Sequence, residues 1–448
     1  MAWWFNKAGS GPKGWFAASR DLGCTRYFGY FNEYLPIGDV IGDYEYSLFT
    51  SHVRGNGFQP NSSFTTTTGD ILASYTPSAD DKITVKVIDN YVGTALPIRL
   101  SLNQFNLNPF QRGCLTPISR SGCASVNLFA NGVAGATIAQ TASQAGLGRQ
   151  DQRTILGVRW DHNLDAQTTW ETQYVYDNKD INQPTGATSA LGDQPASNLM
   201  TSIIQRGSFL GLPDIRFAQA FFNYVHVAND TYNVAPGGNG KLGALTSYFW
   251  GHQYGTGARG QEEVLFAPGW SALAGVGVEY TNLQALNTIN TFASAAATPI
   301  GTPTSVLSSF VNAAPEAGLR YRPSDEWVLR GRVATGYGTP QVSNLFVTPQ
   351  GVAGNNTQLQ TQTNLGFDLG ADWTIANTLE FSITGFYELF HNEFVTQSPG
   401  AGLQSFTSNV PASTHRGRSG FSIALPPKGT SSPPVLSPAI SPICRCSR

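Results

Sequence analysis

The strongest constraint on this chain is an alternation of apolar and polar residues with a period of two, which recurs in paired segments joined by short polar turns. Successive side chains of a β-strand point to opposite faces, so each segment predicts a strand with one apolar and one polar face. The clearest pair covers residues 364–373 and 378–388, where a loop with an odd number of residues, such as three, keeps both apolar faces on one side. We expect the apolar set to point outward and the polar set inward: Leu365, Phe367, Leu369, Leu379, Phe381 and Ile383 against Asp368, Asp372 and Glu380.

The spacing of turns and tryptophans indicates how these strands are arranged. Further pairs occupy residues 68–88, 153–177 and 317–334, each with a short polar turn, whereas the connections at 95–148 and 178–197 are long and rich in Gly, Asn, Ser, Thr and Pro. Short turns on one side and long loops on the other are typical of a membrane β-barrel. The tryptophans beside the short turns would form an interfacial belt: Trp160, Trp170, Trp327 and Trp373. A soluble β-sandwich with buried aromatics is the alternative interpretation.

Composition favours the barrel. Only 12% of the residues are charged and 12% are aromatic, and no apolar run approaches the ~18 residues of a membrane-spanning helix. In lipid, every backbone polar group must be paired within the protein, which for strands requires a closed barrel. With the ~10-residue alternating segment as the unit, we expect roughly fifteen strands, fewer than the ~22 of the largest transporter barrels. The sequence therefore predicts an all-β fold, an antiparallel transmembrane β-barrel made of a meander of hairpins, incomplete in this chain.

Several classes of function are disfavoured. The net charge of −2 and the scattered Lys and Arg residues give no electrostatic footprint for nucleic acid. The six histidines are far apart in the sequence, which does not suggest a metal site. No nucleophile elbow, P-loop or paired-carboxylate signature points to an enzyme or to a cofactor. Cys114 and Cys123 lie nine residues apart and favour a disulfide formed in an oxidising compartment, with two unpaired thiols as the alternative.

An ordered series of motifs resembles TonB-dependent outer-membrane receptors of the siderophore-receptor kind. Residues 336–346, GYGTPQVSNLF, resemble the family segment that leads from a barrel strand into an external loop. Residues 356–370 resemble the signature that follows it, although Thr357, Thr361 and Gln362 replace the usual Pro, Pro and Glu. The matching positions are Asn356, Leu359, Thr363, Phe367, Asp368 and Gly370. Residues 385–399 resemble a strand end of the family, and residues 408–417 resemble the step that opens the next strand. The segment from Arg54 to Phe58 resembles the external loop of an early barrel hairpin.

The resemblance implies a β-barrel located in the bacterial outer membrane and in contact with its lipid. It also implies active uptake of a scarce ligand, a ferric siderophore above all, that binds in an external pocket. The energy would come from the TonB system, which pulls on a plug domain inside the barrel. Competing interpretations are a passive porin-like barrel and a non-functional fragment.

The resemblance also sets an expected domain organisation. We expect residues 1–417 to form the β-barrel portion only, since no signal peptide, TonB box or plug domain is recognisable. TonB would then be a partner only if a plug is encoded upstream. We expect residues 418–448 to be a Pro- and Ser-rich tail, out of frame or disordered, that forms no barrel strand, because Pro removes a donor from the strand ladder.

A basic cluster is expected on the polar face of the 317–334 hairpin. Arg320, Arg322, Arg330 and Arg332 share that face, so strand pairing would bring them close together in the lumen. Like charges at such a distance need anionic partners. By the resemblance, carboxylates of a plug are the expected partners, and an anionic ligand in transit is the alternative.

Overall fold

The computed structural model describes residues 15–16, 19–21, 28–98, 100, 102–110, 124–130, 133–184, 188–234, 241–294, 297–375, 379–400, 403–424 and 435–437. The predicted disulfide between Cys114 and Cys123 lies outside these residues. In the part that is described, no helix is long and apolar enough to cross a membrane.

Among the described residues, regular structure is almost entirely β, with one short α-helix, α1 (Leu102–Leu107), and one 3-10 helix (Val342–Phe346). The first half of the chain contains β1 (Trp15–Phe16), β2 (Ser19–Asp21), β3 (Phe31–Ile41), β4 (Tyr44–Gly55), β5 (Phe64–Tyr75), β6 (Asp81–Ala95), β7 (Ala124–Ala130), β8 (Val133–Gln140), β9 (Gly148–Asn163), β10 (Thr168–Pro184), β11 (Thr188–Asp193) and β12 (Ala196–Phe209). The second half contains β13 (Leu212–Val234), β14 (Leu242–Ala267), β15 (Trp270–Thr291), β16 (Ile300–Tyr321), β17 (Trp327–Gly338), β18 (Gln362–Ile375), β19 (Leu379–Gln397), β20 (Phe406–Ala424) and β21 (Val435–Ser437).

In the part of the chain that is described, the long strands pair antiparallel with their neighbours in sequence and, together with the short strands β1, β2, β11 and β21, build one 19-stranded sheet. The meander runs from β3 to β6 and again from β12 to β20 without a crossover. Between these two runs, β6 pairs with β9 and β9 with β10, because β7 and β8 form a separate hairpin within the long connection. The predicted antiparallel meander of hairpins is confirmed.

The two faces of the sheet differ in exposure as the alternation requires. On β18 and β19, Leu369 and Ile383 are 74% and 56% exposed, whereas Asp368 and Asp372 on the opposite face are half-buried. On β16, Leu307 and Val311 are likewise highly exposed. A soluble protein rarely leaves so continuous an apolar face in water. We call this apolar face the outer face and the polar face the inner face.

The short turns lie at one end of the sheet and follow the predicted geometry. Ile375 pairs with Leu379, so three residues connect β18 to β19, as the alternation requires. Aromatic rings stack across neighbouring strands at this end, with centroids 5.3 Å apart for Trp327 and Trp373 and 4.1 Å apart for Trp270 and Tyr321. The predicted aromatic belt beside the short turns is therefore built from pairs of rings on adjacent strands.

The expectation that residues from Arg418 onward form no barrel strand is wrong for residues 418–424. β20 continues through them and pairs with β19 as far as Ala424 opposite Leu379. The physical reason is that the first proline of the tail is Pro426, so every backbone donor before it is available to the ladder. Within the tail, Val435–Ser437 also pairs with β20, as β21.

Candidate functional site

The arginines predicted to form a basic cluster lie near the short turn between β16 and β17. Arg320 is directly opposite Arg330 in the strand register, and Arg332 is opposite Gly318. Arg322 lies beyond the end of β16, where its Nη2 is 3.3 Å from Asp325 Oδ1 in the turn. The structure thus brings Arg320, Arg330 and Arg332 onto one wall and leaves Arg322 in the turn.

Each guanidinium on this wall has a carboxylate from another strand within reach. Arg332 Nη2 is 2.7 Å from Glu316 Oε2, and Arg330 pairs with Asp372. The Arg320 Nη1 atom is 4.0 Å from Glu263 Oε1 on β14, two strands away. The wall itself therefore provides the anionic partners that the cluster requires. The sequence analysis did not predict Glu263 and Glu316 as partners of the arginines, although Glu316 is four residues from Arg320 on β16 and therefore lies on the same face.

The same pairing of charges continues along the first half of the sheet. Arg159 Nη2 lies 2.6 Å from Asp161 Oδ1 and 2.9 Å from Glu171 Oε1. Lys86 Nζ lies 3.4 Å from Asp70 Oδ2 on the adjacent strand. Because these side chains are only partly exposed and each cation has a nearby anion, the wall presents little uncompensated charge in these regions.

At the end with the long loops, the connection between β17 and β18 folds back against the inner face. Leu283 and Leu345 are each 0% exposed, and Phe346 is 5% exposed. The 3-10 helix and Leu359 supply one side of this apolar cluster, and β15 and β16 supply the other through Leu283, Ala285 and Val306. Leu283 belongs to the inner face because it is an even number of residues from Ser271 on the same strand. Ser271 is on the inner face, since it lies opposite Arg320. An apolar patch on the inner wall therefore holds this connection in place.

Asn356, one of the motif positions, fixes the far end of the connection. Its side chain is 1% exposed, and Nδ2 donates to the backbone oxygen of Thr407 on β20 at 2.9 Å. Its backbone N–H donates to the oxygen of Leu345 at 2.8 Å. Asn344 Nδ2 adds a hydrogen bond to Thr407 Oγ1 at 2.7 Å. We call residues 339–361, held in this way, the inner loop.

A cavity of about 660 Å³ lies between the inner loop and the inner faces of β13, β14 and β15. Its volume is within the range of ligand-binding clefts. Phe249, Val342 and Phe346 supply an apolar part of the lining, and the amide side chains around it are those of Gln194, Asn229, Gln253, Asn287, Gln341 and Gln404. None of the described residues that line it is charged. These amides come from distant segments, so sequence reasoning missed the site; the only signal was the scarcity of charge.

The fold and the cavity together define a class of protein. Its members have an antiparallel β-barrel wall with an apolar outer face and a lumenal cavity at the end with the long loops. A family model described as "TonB dependent receptor-like, beta-barrel" matches residues 101–417. The chain belongs to this family, whose members are receptors and transporters rather than enzymes. The sequence-based recognition of the family is thereby confirmed.

Solved structures with the same fold come from several bacteria. The ferric-catecholate import receptor Fiu of E. coli K12 has a TM-score of 0.66 at 12% identity, covering 92% of this chain and 62% of its own. The ferric yersiniabactin uptake receptor FyuA of Yersinia pestis matches with a TM-score of 0.64 at 10% identity, and the match covers 95% of this chain and 60% of FyuA. FpvA of P. aeruginosa, solved with pyoverdine and iron, matches with a TM-score of 0.65 at 10% identity, and the match covers 92% of this chain and 53% of FpvA.

This chain therefore spans little more than half the length of these receptors. At such identities the likeness concerns the fold alone. No curated protein matches the chain by sequence.

Proposed function

We propose that this chain is the barrel portion of a receptor in the bacterial outer membrane that takes up a scarce ligand, namely a ferric siderophore. The observation that carries the proposal is the cavity under the inner loop, at the end of the sheet where the long loops lie. The solved structures that share the fold include receptors described as importing ferric catecholate and ferric yersiniabactin. A siderophore complex is a compact polar ligand, and the cavity combines apolar surface with hydrogen-bonding amides.

Location in the outer membrane is supported by the exposed apolar outer face. Its side chains, among them Leu307, Val311 and Leu369, would be in contact with lipid, where burial of apolar area is favourable. The ring pairs beside the short turns would lie at the periplasmic interface.

Active uptake would need the TonB system, and in this proposal TonB acts through a plug joined to the barrel. The basic wall of Arg320, Arg330 and Arg332 with its carboxylates then faces the plug rather than the ligand. Its distance from the cavity supports this assignment: Gln253 lies ten residues along β14 from Glu263, roughly 33 Å at about 3.3 Å per residue.

The test is binding and uptake of iron-labelled siderophores by cells that carry the gene of this chain with its natural flanking sequence and lack their own receptors. We expect saturable surface binding in the cold, and uptake that disappears when TonB is deleted. A passive porin-like barrel would give flux proportional to ligand concentration and independent of TonB. The absence of both binding and flux, with the protein present in the membrane, would identify a non-functional fragment.

A further inference from the structure

The described residues that give the cavity under the inner loop its polar lining all carry neutral groups. Gln253 on β14, Asn287 on β15 and Asn229 on β13 contribute amides from the wall, and Gln341 contributes one from the inner loop. Each amide offers two N–H donors and one carbonyl acceptor. A lining of this kind can pair with carbonyl, hydroxyl and N–H groups of a ligand without supplying any net charge.

The surroundings of the cavity would not attract an anion. No Lys or Arg is found among the described lining residues or among the residues directly adjacent to them in sequence. The arginines of the β16–β17 hairpin are far along the barrel wall and are already paired with Glu263, Glu316 and Asp372. An anion moved from water into a partly enclosed site loses solvation that only nearby cations or hydrogen bonds can replace.

We propose that this cavity selects an electrically neutral ligand, and that among iron chelates it takes a neutral ferric trihydroxamate rather than a trianionic ferric tricatecholate. The inference rests on the proposed siderophore function and names the ligand class for the same site. In a ferric trihydroxamate three monoanionic groups balance the charge of Fe³⁺, so the complex presents neutral carbonyl and amide groups that the Gln and Asn side chains can bind. In a ferric tricatecholate the six phenolate oxygens leave a charge of −3.

The test measures binding of both chelates to the complete chain in outer membranes, by equilibrium binding of iron-labelled complexes. We expect the neutral trihydroxamate to bind at least about tenfold more tightly than the tricatecholate, and its affinity to be insensitive to salt, because screening acts only on charges. Gln253→Lys should narrow or reverse this preference by adding a cation to the cavity. The matched control is Gln150→Lys, an exposed glutamine on β9 outside the cavity lining, which should leave the preference unchanged.

Three other outcomes separate this inference from the proposed function. Tighter binding of the tricatecholate by the unaltered chain would overturn the inference and leave siderophore uptake standing. Binding of a neutral oligosaccharide in place of either chelate would support a neutral site but overturn the siderophore function. If Gln150→Lys changed the preference as much as Gln253→Lys, the selectivity would reside in the general charge of the loops, and the cavity assignment would be wrong.

Discussion

The guanidinium of Arg330 lies directly over Gly370 on the neighbouring strand: a Cβ at Gly370 would lie 2.8 Å from Arg330 Cζ. The missing side chain lets Arg330 pass across β18 to Asp372 and to Thr384 on β19, where its Nη2 donates to Oγ1 at 2.7 Å. Gly370, one of the motif positions, therefore makes room for an arginine whose ion pair and hydrogen bond together join three strands.

Gly370→Ala should destabilise the barrel by about 1 kcal/mol, because the guanidinium must move and give up hydrogen bonds. The measurement is denaturant unfolding in lipid or detergent, combined with a double-mutant cycle. The penalty should vanish in an Arg330→Ala background. Gly385→Ala on β19, where a Cβ would meet nothing within 4 Å, is the control and should have little effect. An equal penalty with and without Arg330 would show that the backbone, not the arginine, requires glycine.

The apolar anchor of the inner loop gives a second prediction. Leu345→Ala should weaken the packing of the loop against β15 by about 2–5 kcal/mol, since it leaves a cavity in a fully buried cluster. Hydrogen exchange of the backbone N–H of Asn356, which donates to the backbone oxygen of Leu345, should become faster, and ligand binding should weaken. Val352→Ala, at a 49% exposed position of the same loop, should change neither. Unchanged exchange in Leu345→Ala would show that the loop is held by its hydrogen bonds alone.

The outer face can be tested for contact with lipid. Leu369 is 74% exposed and lies six residues before the end of β18, near the middle of a crossing of ~10 residues. Leu369→Lys should destabilise the barrel in vesicles by about 2–4 kcal/mol, the cost of a lysine at the bilayer midplane. Leu403→Lys, in the loop between β19 and β20, should be nearly neutral. A negligible effect of Leu369→Lys in vesicles would mean that this face meets water.

The role of the basic wall can be tested in a full-length receptor that carries this hairpin and a plug. Changing Arg330 and Arg332 to Ala leaves Asp372 and Glu316 without cations, so the wall should repel plug carboxylates and loosen the plug. We expect large antibiotics to enter more readily, while surface affinity for the ligand stays within about twofold, since the cavity lies roughly 33 Å away along the strand. A large loss of ligand affinity with an intact antibiotic barrier would instead place these arginines in the binding site.

The sequence predicted those features that depend on local periodicity. Because a period of two fixes which side chains share a face, the outer position of Leu369 and the three-residue connection after Ile375 could be derived without knowledge of the fold. The pairing of Arg320 with Glu263 could not, since it depends on the registers of two further strands. The end of β20 was misplaced because prolines after Ala424 were taken to disrupt residues that precede them.

The candidate site was harder to predict for a related reason. Its amides come from β13, β14, β15, the inner loop and the connections that precede β12 and β20, and an isolated Gln or Asn carries no signal of burial or of a ligand. The motif around Asn356 did mark the inner loop, but as a likeness in sequence. Its physical role, the hydrogen bond to Thr407, appeared only in three dimensions.

The inner loop also has a mechanical consequence for the wall. It contacts β15 through Leu345 and β20 through Asn356, and four strands, β16 to β19, lie between these two attachment points. The loop thus connects the two ends of an arc of the sheet, and the curvature of this arc would otherwise be set by strand twist alone. A ligand that displaces the 3-10 helix must strain the bond between Asn356 and Thr407, so occupancy of the cavity and the shape of the wall are coupled.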